Sequence, residues 1–109
     1  MSVRLTDLAA VIRSKNAGPY ELTLDIIFRE VADYERVVAA GVIDRALIAR
    51  LYHVTDAEIL ALVAFDPAAA IKITIRRPRP AGDLGETDVY GAQQHAPLLD
   101  LVLDLGPGP

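Results

Sequence analysis

Three stretches of this chain concentrate side chains able to do chemistry. The first is Arg13-Ser14-Lys15-Asn16-Ala17-Gly18. It combines two cations, a hydroxyl, an amide and a glycine. Successive backbone N–H groups in such a turn can form an anion nest, and an Arg fork can grip a carboxylate or phosphate. Arg13, Ser14 and Asn16 are therefore candidate ligand-binding residues. Spacing alone favours an ordinary polar turn, because no phosphate-loop consensus is present. The second stretch runs from Gly85 to Pro97. Tyr90, Gln93 and Gln94 are candidate ligand contacts there, and His95 is a candidate catalytic acid or base with Asp88 or Glu86 nearby. A solvated loop whose amides cap backbone groups accounts for the same residues, and a lone His in a small domain is more often structural. The third is Arg76-Arg77-Pro78-Arg79, which could hold an acidic ligand, the chain's own acids, or only solvent at a strand end. His53 directly follows a helical pattern, where a cation suits the dipole. It has no second ligand at helical spacing, so no metal is expected there. No Ser/His/Asp order, carboxylate pair or Gly-rich nucleotide fingerprint is present, and no cofactor is expected.

The elements that must position these residues follow from periodicity. Residues 3–12 read as an early apolar strand and residues 13–19 as a polar loop. Residues 20–28 alternate, with Leu22, Leu24, Ile26 and Phe28 on one face and Thr23 and Asp25 on the other. Residues 31–40 switch to helical spacing, with Val31, Tyr34, Val37 and Val38 on one stripe and Gly41 as the stop. Asp44 can cap a second helix that turns Leu47, Ile48, Leu51 and Tyr52 inward. Thr55 and Glu58 have capping-box spacing and predict a third helical stretch carrying Ile59, Leu60 and Val63. Asp66-Pro67 marks a break. Residues 70–76 alternate cleanly, Ile71, Ile73 and Ile75 against Lys72, Thr74 and Arg76. Residues 77–97 form a long irregular connection rich in Pro and Gly, of a length that is usually functional, ordered by a partner, or disordered. Residues 98–105 read as a final apolar strand. The order predicts an α+β, two-layer sandwich: a ferredoxin-like variant, mostly antiparallel sheet with two or three helices on one face. Strand order stays open.

The bulk composition narrows the classes. The chain has 109 residues, one domain's worth, and is 52% hydrophobic and 24% charged. Its apolar set is aliphatic: 17 Ala, 14 Leu, 10 Val and 9 Ile against four Tyr, two Phe and no Trp. That is one small core, with no room for a cofactor domain. No Cys is present, which excludes disulfides, thiolate metal sites and a Cys nucleophile. No signal segment or membrane-length apolar run is visible, so a cytoplasmic location with no membrane partner is expected. The net charge of −4 argues against nucleic-acid binding. All eleven cations lie in residues 1–79, with ten acids. Residues 80–109 hold five acids and no Lys or Arg. The acidic end fits a docking segment, or simply keeps the protein soluble.

Longer stretches carry a resemblance. Leu5-Thr6-Asp7-Leu8-Ala9, the run from Ile12 to Asp25, Phe65-Asp66-Pro67, Ile71-Lys72-Ile73-Thr74 and the run from Thr87 to Leu99 resemble a family of small uncharacterised bacterial proteins, a domain of unknown function. The likeness spans about residues 4–104. Its members are similar to the C-terminal ferredoxin-fold domain of the acyclic terpene utilisation (AtuA-type) proteins, and are encoded beside a separate large AtuA-type subunit. The AtuA-type loop continues Gly-Asp-Lys-Gly-Asp after its Arg-Ser. This chain has Lys15-Asn16-Ala17-Gly18-Pro19, with Asn16 in place of the core acid. The resemblance implies a small accessory subunit docked on a large AtuA-type catalytic subunit, in acyl-CoA or branched carboxylic acid catabolism. The alternatives are a homo-oligomeric ligand-binding module and a stand-alone lyase, hydratase or isomerase using His95 and Arg13.

Overall fold

A computed structural model describes residues 2–18, 20–76 and 96–106. Expectations for residues 77–95 lie outside the described residues. The chain forms β1 (Ser2–Arg4), α1 (Leu5–Leu8), β2 (Ala9–Asn16), β3 (Glu21–Phe28), α2 (Val31–Ala40), α3 (Arg45–Tyr52), β4 (Ile59–Phe65), β5 (Ala70–Arg76), α4 (Ala96–Leu99) and β6 (Val102–Asp104). The main sheet has the order β2-β3-β5-β4, and every pairing is antiparallel. The two-layer α+β sandwich thus takes the form of two hairpins, β2–β3 and β4–β5, joined by the helical pair α2 and α3. A second, two-stranded sheet pairs β1 with β6, Val3 opposite Leu103.

The inner face of the main sheet carries Leu22, Leu24, Ile26 and Phe28 from β3, Ile71, Ile73 and Ile75 from β5, and Ile59 from β4. All are buried. Leu5, Leu8, Tyr34, Val37, Ile48, Leu98 and Leu101 complete the same core cluster, so all four described helices cover this one face. The alternation in β3 and β5 dictates this: period-two apolar side chains on two neighbouring strands produce one greasy face that helices must cover.

The capping signals act as the residue types require. The Asp44 carboxylate accepts a hydrogen bond from the Leu47 N–H at 2.9 Å and starts α3. Ile48 is buried, and Leu47, Leu51 and Tyr52 pack partly buried against the core. Burial pushes the Tyr52 hydroxyl pKa up. Gly41 ends α2 at φ 63°, where its N–H reaches the Val37 and Val38 carbonyls. A residue with a Cβ is strained there.

Four expectations are corrected. The early strand over 3–12 is broken in three, because Leu5 and Leu8 share one helical face and both enter the core. Arg29 at the end of β3 donates to the Thr6 and Asp7 carbonyls of this one-turn helix, at 3.4 and 3.0 Å. The loop expected over 13–19 begins only after Asn16, because β3 extends the ladder to Asn16 opposite Leu22. The third helix over 55–63 is a strand. The Thr55 N–H does donate to Glu58 Oε1 at 2.8 Å, yet that capping box serves one 3-10 turn, Asp56–Glu58. Beyond it, β5 offers an unpaired ladder, and Ile59–Phe65 takes it as β4. Arg45 staples this junction, binding Asp56 Oδ1 at 2.8 Å and the Asp56 and Ile59 carbonyls at 2.7 Å. The final strand over 98–105 is divided between α4 and β6. The inward stripe of α2 is also narrower than its spacing suggests: Tyr34 and Val37 are buried, whereas Val31 and Val38 are exposed.

Candidate functional site

The outer face of the main sheet lies opposite the helices. The registers lay it out in rows from β2 to β4. One row is Val11, Ile27, Ala70 and Phe65. The next is Arg13, Asp25, Lys72 and Val63, and the third is Lys15, Thr23, Thr74 and Ala61. Glu21 and Arg76 stand opposite each other at the far end of β3 and β5. Val11, Arg13, Lys15, Val63, Phe65, Lys72 and Arg76 are all exposed. The face is therefore apolar along one end and basic along the other.

Asp25 sits at its centre and is only 4% exposed. Its Oδ2 accepts a hydrogen bond from Arg13 Nε at 3.0 Å. Its Oδ1 is buried with no hydrogen-bond partner. The guanidinium of Arg13 makes no other polar contact with the described residues, and its side chain is 58% exposed. Asp25 thus orients an Arg whose terminal nitrogens have no other partner among the described residues and are placed to bind an anion. Lys72 faces Asp25 across the ladder, and its ammonium lies 5.2 Å from the Phe65 ring centroid, in cation–π range.

Strand geometry divides the first motif. Arg13 and Lys15 lie on the outer face. Ser14 and Asn16 lie on the inner one, Ser14 buried opposite Leu24 and Asn16 half-buried opposite Leu22. Arg13 is brought together with Asp25 and Lys72 instead. Neither of those two stood out in the sequence. The signal for them was the parity of β3 and β5, which puts Asp25 and Lys72 on polar faces; their meeting needs the register. Tyr90, Gln93, Gln94 and His95, with Glu86, Asp88, Arg77 and Arg79, lie outside the described residues. His53 is the residue closing α3, at φ 55°. Among the described residues, no group of three His, Asp or Glu side chains converges to hold a metal. Among them also, no helix is long and apolar enough to cross a membrane.

Two other features are on the helical side. A cleft of about 200 Å³ lies between α2 and β4, lined by Val37, Val38, Gly41, Ile43, Leu62, Ala64 and Ile71. None of these described lining residues is titratable. The Tyr34 hydroxyl, at the buried side of α2, donates to Asp66 in the β4–β5 turn. That hydrogen bond, reinforced by burial, raises the phenol pKa from 10.0 to about 12. The folded state then holds the proton more tightly than the unfolded chain, so the contribution is complete below pH 10 and is lost as pH rises toward 12. Urea melts across that window should show the wild type losing stability with pH more steeply than Tyr34→Phe. Parallel slopes would remove this hydrogen bond from the account.

A family model for a domain of unknown function (DUF4387) matches residues 5–102. The chain belongs to that family. No curated protein and no solved structure matches it.

Proposed function

We propose that this family domain is a small cytoplasmic accessory subunit that docks on a larger catalytic partner. The partner we infer is an AtuA-type subunit acting in acyl-CoA or branched carboxylic acid catabolism, as the sequence resemblance implies. The observation that supports docking is the outer sheet face, which the described helices leave open and which carries both exposed apolar and exposed basic side chains. Such a mixed patch on a small protein marks an interaction surface. The cleft between α2 and β4 points the same way: its volume of about 200 Å³ is below the roughly 300–1,000 Å³ of ordinary ligand sites, and its described lining residues include no acid or base.

Co-expression with the adjacent large subunit tests the reading. The two proteins should elute together on gel filtration, and the large subunit alone should lose activity. Separate elution, with full activity of the large subunit by itself, would sink it. A second reading, a homo-oligomeric module, is favoured by one observation: edge strand β4, Ile59–Phe65, has no charged residue and exposes Leu60, Val63 and Phe65. Uncharged edges invite pairing with another strand. Light scattering of the chain alone separates the two readings.

A further inference from the structure

We infer that the partner is received by the outer face of the β2-β3-β5-β4 sheet, and that what it presents there is an acidic protein surface with an apolar margin. This rests on the accessory-subunit reading and deepens it. Four cations, Arg13, Lys15, Lys72 and Arg76, share the face with two acids, Glu21 and Asp25. The face is net positive on a chain whose net charge is −4. Asp25 is buried and paired with Arg13, which leaves Lys15, Lys72 and Arg76 against Glu21 as the unpaired charge on this face.

Charge complementarity selects the occupant. A second copy applying the same face would bring two net-positive surfaces together, which is unfavourable. A nucleic acid or anionic bilayer would meet the basic end. A nucleic acid would leave Val11, Val63 and Phe65 without apolar contact, and the net-negative remainder of the chain repels either polyanionic surface. An acidic protein surface satisfies both halves. Its carboxylates take the terminal nitrogens of Arg13 and the ammonium groups of Lys15 and Lys72. Its apolar margin covers the Val11, Ile27 and Phe65 row. Asp25 is a positioning residue here: it holds Arg13 by Nε and leaves the fork outward.

The test measures binding of the wild type, Lys15→Glu, Lys72→Glu and Arg50→Glu to the purified large AtuA-type subunit by calorimetry. Lys15 and Lys72 are exposed, so circular dichroism should show the variants folded. Arg50 is an exposed cation on α3, in the helical layer, and serves as the control. Each outer-face variant should bind about tenfold more weakly or worse, with Arg50→Glu unchanged. Wild-type affinity should fall as salt rises from about 50 to about 500 mM. Binding that all three variants retain would overturn the assignment of this face and leave the accessory-subunit reading standing. No binding by the wild type would overturn both. A wild-type dimer dissociated by Lys72→Glu, or heparin retention abolished by it in the absence of subunit binding, would give the face to another occupant and overturn the inference.

Discussion

Arg13→Met should destabilise the protein by about 2–4 kcal/mol, whereas Asp25→Val should be near neutral, within about 1 kcal/mol. The asymmetry follows from where the two partners sit. Asp25 is 4% exposed, has one oxygen on Arg13 and the other without a donor. Removing Arg13 leaves a buried carboxylate with neither oxygen paired, and an orphaned buried charge costs roughly 3–5 kcal/mol. The expected value is set below the top of that range because Lys72 stands directly across the ladder and can turn toward Asp25. Removing Asp25 instead releases Arg13 into water, which already reaches much of its side chain. It also deletes the unsatisfied oxygen and places a β-branched residue in the middle of a strand. Urea denaturation of both variants at pH 7 decides the matter. A larger loss in Asp25→Val than in Arg13→Met would show that the pair contributes net stability, contrary to this account.

Ile73→Ala should cost about 3–4 kcal/mol, a shift of roughly 12–30 °C in Tm for a domain of this size. Ile73 is fully buried on β5, an interior strand, and lies opposite Leu24 on β3 and Leu62 on β4. Neighbours held on both sides by ladder hydrogen bonds cannot collapse into the space, so the cavity term adds to the lost transfer energy. Leu24→Ala should cost a similar amount, and the double variant should be non-additive because the two cavities merge. Val63→Ala, an exposed position on edge strand β4, should stay within about 0.5 kcal/mol. Thermal melts of the set test this. Equal losses at Ile73 and Val63 would contradict the assignment of inner and outer faces.

These two positions also show how far residue order reaches. Ile73 was legible as core because Ile71, Ile73 and Ile75 alternate with Lys72, Thr74 and Arg76, and no helix can use that spacing. Arg13 was legible as an anion-binding candidate from its residue type. Its partner was not, because Asp25 is twelve residues away and only the β2–β3 register sets the two opposite each other. Ser14 and Asn16 looked like companions of Arg13 because a loop would gather them. A strand sends neighbours to opposite faces. The family resemblance was legible too, and the match over residues 5–102 bears out its coarser half, the domain of unknown function.

What residue order determined by itself is local: the two alternating strands β3 and β5, the caps at Asp44 and Gly41, and the α+β class that follows from helices between strands. These depend on periodicity and on hydrogen bonds a few residues apart. The tertiary structure decided the rest. Thr55 and Glu58 make the same local contact in a long helix or in one turn. The segment after them became β4 because the free edge of β5 needed a partner. The basic outer face, with Asp25 at its centre, arises likewise from registers among three strands, where cross-strand distance and not sequence separation determines which charges meet.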